Sequence, residues 1–209
     1  MNDQKLADRP FADKRREERR AAMMAAAESL FIERGYEDTT LAAIVQRSGG
    51  SLATLYENFG NKQGLLRAMI ERIIEEDELP VPSDPTPECS CSDQLRLYAH
   101  ALYVHFTRPR AIAIKRIVMT EALRDPHFAR SLYQDLHVAG VEELAVTFAK
   151  WTASGCAKFD APLAAADLFF ATIMGDAQLR FMCMYDEAIL SNEALDWRLE
   201  PFIKYFEVR

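Results

Sequence analysis

TTLAAIVQRSGGSLATLYENFGNKQGLL, from Thr39 to Leu66, holds two short helical patterns parted by Ser48, Gly49 and Gly50, and its reading decides the fold. The first pattern begins at Thr39 or Thr40, whose hydroxyl can accept the orphan amides of a first turn, and it sets Leu41, Ile44 and Val45 on one face. Ser51 stands where a cap for the second helix belongs. In that helix Leu55 and Phe59 lie one turn apart and point the same way. Gly60 ends it, and Asn61 caps a further helix running to about Glu78. The acidic tail from Glu75 to Glu78 sits at the wrong end of a helix dipole, which predicts fraying there.

Upstream of this segment, a helix is predicted from about Lys14 to Arg34, with Ala26, Ala27, Leu30 and Phe31 on its buried face. Gly35 should stop it in the left-handed cap conformation, and Tyr36 should tuck in behind. Downstream, Leu79 to Asp93 carries four prolines and cannot continue a helix. Helical periodicity then returns over Gln94 to Phe106, Arg110 to Leu123, His127 to Thr152, Ala161 to Tyr185, and Asn192 to the C-terminus, with a bend at Pro201. There is no internal repeat and no sustained apolar-polar alternation. The expected fold is all-α. Residues 1–62 form a three-helix helix-turn-helix domain, and residues 63–209 form a helical bundle entered through a connecting helix (61–78) and a Pro-rich linker (79–93).

In a helix-turn-helix the second helix fits the major groove while the first lies across the backbone and fixes the angle. Ser51 and Thr54 can donate to base edges or phosphates, Leu52 and Ala53 can touch thymine methyls, and Tyr56 can donate its phenol to a phosphate. The pattern T-T-x-x-x-I, then S-G-G-S-x-A-T-L-Y-x-x-F, then x-K-x-x-L-L resembles the DNA-binding domain of the TetR family of transcriptional regulators. The resemblance covers about fifty residues, up to Leu66. It implies a three-helix reader, a fourth connecting helix, and a helical C-terminal domain that takes a small molecule and dimerises.

Carried over by position, Thr40 and Lys62 match the family's phosphate contacts, Tyr56 its backbone-contacting tyrosine, and Ser51 to Thr54 its base-reading turn. Lys62 also opens a helix, whose amide-rich end favours phosphate. Leu52 departs from a frequent lysine, Glu57 from an aromatic or basic residue, Asn58 from histidine or tyrosine, and Gly50 from valine. Asn58 is kept among the candidate DNA-contacting residues.

The 209 residues are 49% apolar, enough for a substantial core. No apolar run approaches the roughly 18 to 20 residues of a membrane span, and the first twenty residues lack the apolar centre of a signal peptide. A cytoplasmic protein with no membrane partner is expected. The net charge of −7 looks wrong for a nucleic-acid binder until it is divided along the chain. Up to Lys62 there are 10 basic and 10 acidic residues, leaving 15 basic against 22 acidic beyond it. Lys14, Arg15, Arg16, Arg19 and Arg20 surround only Glu17 and Glu18, and either meet phosphates or form a solvated helix end.

Cys89, Cys91, Cys156 and Cys183 are too few and too scattered for a disulfide framework, so reduced thiols are expected. Cys89 and Cys91 fall in the Pro-rich stretch, where they would be exposed linker thiols or a redox or metal sensor. His100, His105, His127 and His137 show no metal-ligand spacing, and neither a phosphate loop nor a nucleophile signature is present, so neither catalysis nor a metal or other cofactor is expected.

In APLAAADLFFATIMGDAQLRFMCMYD, Leu163, Ala166, Phe170, Ile173, Ala177, Phe181 and Met184 form one apolar set, with Leu168, Phe169 and Met182 as a second. One set can face the bundle and the other a partner, with Ala164, Ala165, Ala171 and Gly175 allowing close approach. The last helix adds Leu195, Leu199, Phe202 and Phe206. The resemblance implies a homodimer through these last two helices, built on two symmetric half-sites of duplex DNA. RIVMTEALRDPHFARSLYQDL is also similar, more weakly, to an efflux-associated subgroup. Tyr103, Arg116, Thr120, Tyr133, His137 and Asp176 are polar residues among apolar ones that could line an effector pocket. The expected function is therefore a repressor released from a palindromic operator by a small apolar effector. The alternative is a constitutive or thiol-responsive regulator without such a pocket.

Overall fold

A computed structural model of the chain describes residues 9–76, 79–175, 177–183 and 190–209. The chain divides into two compact units after Glu76. The first contains α1 (Arg9–Arg34), α2 (Leu41–Ser48), α3 (Leu52–Phe59) and α4 (Lys62–Glu75). Its core is Met23, Met24, Ala27, Leu30, Phe31, Ile44, Leu55, Leu65, Leu66 and Met69, contributed by all four helices. Helix α1 begins at Arg9, ahead of the expected Lys14. Of the three apolar residues expected inward from α2 only Ile44 is buried, because this two-turn helix meets its neighbours along one narrow stripe while Leu41 and Val45 flank it. Thr39 is buried, and its hydroxyl lies 2.8 Å from the Gly35 carbonyl oxygen and 3.2 Å from that of Leu30, satisfying acceptors at the end of α1. Helix α4 ends at Glu75, while residues 77 and 78 of the acidic tail lie outside the described residues.

The second unit contains α5 (Cys91–Thr107), α6 (Pro109–Arg124), α7 (Pro126–Leu132), a π-helical turn (Tyr133–Val138), α8 (Ala139–Ala153), α9 (Pro162–Met174), α10 (Ala177–Met182) and α11 (Asn192–Tyr205). Helix α9 packs most closely on α8 and also meets α5 and α11. Phe148, Phe159, Phe169, Phe202 and Trp151 fill the centre, with Phe148 and Phe159 stacked at 4.0 Å between centroids. Such ring pairs add about 0.5–1.5 kcal/mol each beyond the area they bury.

Several expectations are corrected here. The helix expected over His127 to Thr152 runs without a break from Pro126, behind the Asp125 cap, to Ala153, but its ladder widens to a π turn over Tyr133–Val138. The helix expected over Ala161 to Tyr185 breaks at Gly175, whose φ of +37° an L side chain rarely adopts. Of its apolar residues, Ala165, Ala166, Phe169 and Ile173 face inward, whereas Leu163 and Leu168 are exposed. Met184 lies outside the described residues.

The Pro-rich stretch is fastened to the second unit by hydrogen bonds. Trp151 Nε1 donates to the Ser83 carbonyl at 2.8 Å, Thr147 Oγ1 to that of Pro82 at 3.2 Å, and Ser83 N to Gln94 Oε1 at 2.8 Å. The expected reduced, exposed Cys91 is also corrected: it is fully buried and bonded to Cys156, 65 residues away. That separation carries no motif, and only the packing of α5 beside the turn after α8 brings the two sulfurs together. Cys89 and Cys183 are free thiols.

Candidate nucleic-acid interface

Thr40 caps α2, its Oγ1 accepting from Ala43 N at 3.1 Å, and Ser51 caps α3, accepting from Thr54 N at 3.1 Å. Between the helices Gly49 takes φ +73°, the left-handed conformation that reverses the chain after α2. Gly50 matters for a different reason. A Cβ there would collide with the methyl of buried Met23, so the space given to valine in the resemblance is filled from α1.

Leu55 and Phe59 anchor α3 from within, which turns the opposite face outward: Ser51, Leu52, Ala53, Tyr56 and Glu57 are exposed. Tyr56 is 53% exposed and Leu52 42%, a tyrosine and a leucine left on the surface of a two-turn helix. Ser51 Oγ and Thr54 Oγ1 lie 2.9 Å apart, so these hydroxyls form a coupled pair at the tip of α3. Asn58 turns back, its Nδ2 donating to the Thr54 carbonyl at 2.7 Å.

Lys62 opens α4, behind the Asn61 cap whose Oδ1 accepts from Gly64 N at 2.8 Å. Its Nζ lies 4.2 Å from the centroid of the Tyr36 ring and donates to the Glu37 carbonyl at 3.2 Å, which holds the cation at a fixed place. Arg47 Nη1, near the end of α2, donates to Ser29 Oγ at 2.8 Å and to both Glu33 oxygens at 2.8 and 2.9 Å. The guanidinium of Arg47, aided by the Ser29 hydroxyl, holds the Glu33 carboxyl down at about 2. This clamp fixes α2 on α1. Among the N-terminal cations, Arg20 packs over the Phe59 ring at 5.4 Å, while Lys14, Arg15, Arg16 and Arg19 are exposed.

The residues expected around an effector lie on three stretches. Tyr103 is buried on α5, its Oη accepting from Leu190 N at 2.8 Å. On α6, Thr120 donates to the carbonyl of Arg116 one turn earlier. On the π turn, exposed Tyr133 stacks on His137 at 4.9 Å, and His137 Nε2 lies 3.1 Å from Asp167 Oδ1. Asp176 lies outside the described residues.

A buried polar group where α5 meets α6 had not been singled out. His105 and Thr107 are buried there, Glu121 is buried farther along α6, and Lys115 Nζ donates to the Phe106 carbonyl while lying 4.1 Å from its ring centroid. Burial lowers the Lys115 amine to about 7. The signal was present in the sequence: Lys115 occupies a helical position in line with Ala111 and Ile112, where an apolar residue belongs.

A family model described as bacterial regulatory proteins of the tetR family matches residues 23–69, and one described as the C-terminal domain of AefR-like transcriptional repressors matches residues 93–208. The chain is 45% identical over 56 residues, 27% of its length, to the HTH-type transcriptional repressor ComR of Escherichia coli (strain K12). It is 35% identical over 60 residues, 29% of its length, to the HTH-type transcriptional activator FasR of Mycolicibacterium smegmatis. Each match takes in 27% of the relative, so the chain spans about a quarter of the length of these curated proteins. Among solved structures, the flavonoid-responsive regulator FrrA is 29% identical with a TM-score of 0.71, over 90% of this chain and 94% of that one. A TetR-family regulator from Mesorhizobium loti shares the fold, at 20% identity and a TM-score of 0.75, over 92% and 98% of the two chains. With its C-terminal match alone spanning more than half of its residues and the tetR-family match covering the helices on either side of the Gly49 turn, this chain belongs to the TetR family of transcriptional regulators.

Proposed function

We propose that the chain is a homodimeric, ligand-responsive repressor that binds a palindromic operator in the cytoplasm and leaves it when a small, mostly apolar molecule enters the C-terminal unit. The observation that carries the DNA half is the outer face of α3, where the capped tip Ser51–Thr54 and exposed Tyr56 stand opposite the Leu55 and Phe59 anchors. Ser51, Leu52, Ala53 and Thr54 read bases. Thr40, Tyr56, Asn58 and Lys62 hold the backbone.

Dimerisation through α9 and α11 is supported by apolar side chains left on their outer faces: Leu168 with Ala164 and Ala171 on one, Trp197 with Pro201 and Tyr205 on the other. An effector acts to the extent that it binds the two states of the dimer differently. The likeness to a flavonoid-responsive regulator supports an aromatic, largely apolar effector, with Tyr103, Arg116, Thr120, Tyr133, His137 and Asp176 as its polar partners. Repression rather than activation is supported by the description of the C-terminal match.

Selection of bound duplexes from a random pool tests the reading. A palindrome should emerge, with half-sites about 34–36 Å apart or a multiple of that. Lys62→Ala should weaken every duplex and lower the salt slope by about one, whereas Thr54→Ala should alter base preference by roughly 1–3 kcal/mol. Uniform losses for both variants, or no selected sequence at low salt, would refute the assignment. A flavonoid panel that leaves the selected operator bound would favour a constitutive regulator.

A further inference from the structure

The Cys91–Cys156 bond lies where three separate pieces of the C-terminal unit meet. Cys91 opens α5 behind a capping box, in which Ser90 Oγ accepts from Asp93 N and the Asp93 carboxylate accepts from Ser90 N. Cys156 sits in the turn after α8. The last residues of the chain run between the two: Ser92 N donates to the Arg209 carbonyl at 2.8 Å, and Arg209 N donates to the Cys156 carbonyl at 3.0 Å. Lys158 N adds a bond of 2.7 Å to the Phe206 carbonyl, and Val208 is buried. Arg209 is thus held on one side by the residue after Cys91 and on the other by Cys156 itself.

We propose that this disulfide is a reducible latch, and that its thiol state controls how firmly residues 206–209, and with them the end of α11, are held. The inference rests on the DNA-binding reading above in one respect. A regulator at the chromosome works in a reducing compartment, where disulfides are rare and those present are usually redox-sensing. The reductant is a small or protein dithiol. Its thiolate attacks the sulfur of Cys156, the residue of the pair that is not fully buried, forming a mixed disulfide as the Cys91–Cys156 bond breaks. The bonding pair leaves on the Cys91 sulfur, at the amide-rich start of α5, and that thiolate takes a proton from water. The second reductant thiolate then displaces Cys156, so the dithiol becomes a disulfide and the protein gains two electrons. With the bond cut, Arg209 is left bridging two segments that can separate. The outer face of α11 carries Trp197 and Tyr205, so loosening its end weakens the proposed dimer.

The test uses the full chain, oxidised or treated with dithiothreitol under native conditions. Alkylation and mass measurement should count two thiols before reduction and four after it. Hydrogen exchange at Ser92, Lys158 and Arg209 should rise at least roughly tenfold on reduction while Leu65 and Leu66 keep their protection. Cys89→Ser should respond as the wild type, and the double variant Cys91→Ala, Cys156→Ala should match the reduced protein with or without reductant. Four thiols in the oxidised chain would overturn the latch. So would unchanged exchange at the tail, exchange rising equally in both units, or a response abolished by Cys89→Ser. Failure to bind any duplex in either state would sink the operator reading instead, leaving the thiol count and the exchange to decide the latch.

Discussion

Arg47 shows how one side chain can hold two helices in register. Its guanidinium spans from α2 to Glu33 and Ser29 on α1, and the carboxyl of Glu33 falls from an ordinary 4.5 to about 2. A depressed acid contributes its stability above 4.5 and loses it as the pH falls through 2. Arg47→Ala should return the Glu33 carboxyl towards 4.5 in a carbon-detected titration; a carboxyl that stays near 2 would place the cause elsewhere. Lys115 runs the other way. Its amine titrates at about 7 when folded against 10.5 ordinarily, so the unfolded chain holds more protons between those values and stability climbs with pH across that window. Lys115→Met should flatten that rise in urea denaturations at pH 7, 9 and 10. How far the sequence betrays a bond depends on how local that bond is. The caps Thr40, Ser51 and Asn61 were legible because capping is a local bond within three residues. The Arg47 clamp was not, since its partners lie 14 and 18 residues away and nothing in local spacing joins them.

At the scale of elements, the two glycines of the turn separate conformation from space. Gly49 has φ +73° with room for a Cβ, whereas Gly50 has no such dihedral but faces the Met23 methyl. Gly49→Ala should therefore cost about 1–2 kcal/mol through its backbone. Gly50→Ala should fall within about 1 kcal/mol of the wild type, because the far end of a methionine can turn aside and the unfolded chain loses freedom. Equal costs in urea denaturation would contradict this division. Helices α1 to α4 were legible because apolar period, caps and terminating glycines agreed over one short segment. The break at Gly175 and the widened turn at Tyr133 were not, because the apolar period continues through both and only tertiary packing selects the interruption.

For the whole molecule, the exposed outer faces of α9 and α11 set the terms of assembly. Trp197 is 77% exposed and Tyr205 79%, large rings that a paired copy would bury. Trp197→Ala should weaken self-association by roughly 2 kcal/mol or more, about thirtyfold in the dimer constant, and Leu168→Arg should do so at least as strongly. Sedimentation at graded concentrations checks both; dimers of unaltered strength would move the interface elsewhere. The direction of these faces was only partly legible, since an all-apolar helix does not say which stripe its own bundle will claim. The π turn carries a consequence for this bundle's lineage. Such a turn accommodates one residue more than an α-helical path of the same span, and one residue is worth about 100° of rotation. Deleting a single residue between Tyr133 and Val138 should restore α-helical bonding there and turn Phe128 and Leu132 by that angle away from the interior they now occupy, a loss of core contact comparable to a substitution of either residue.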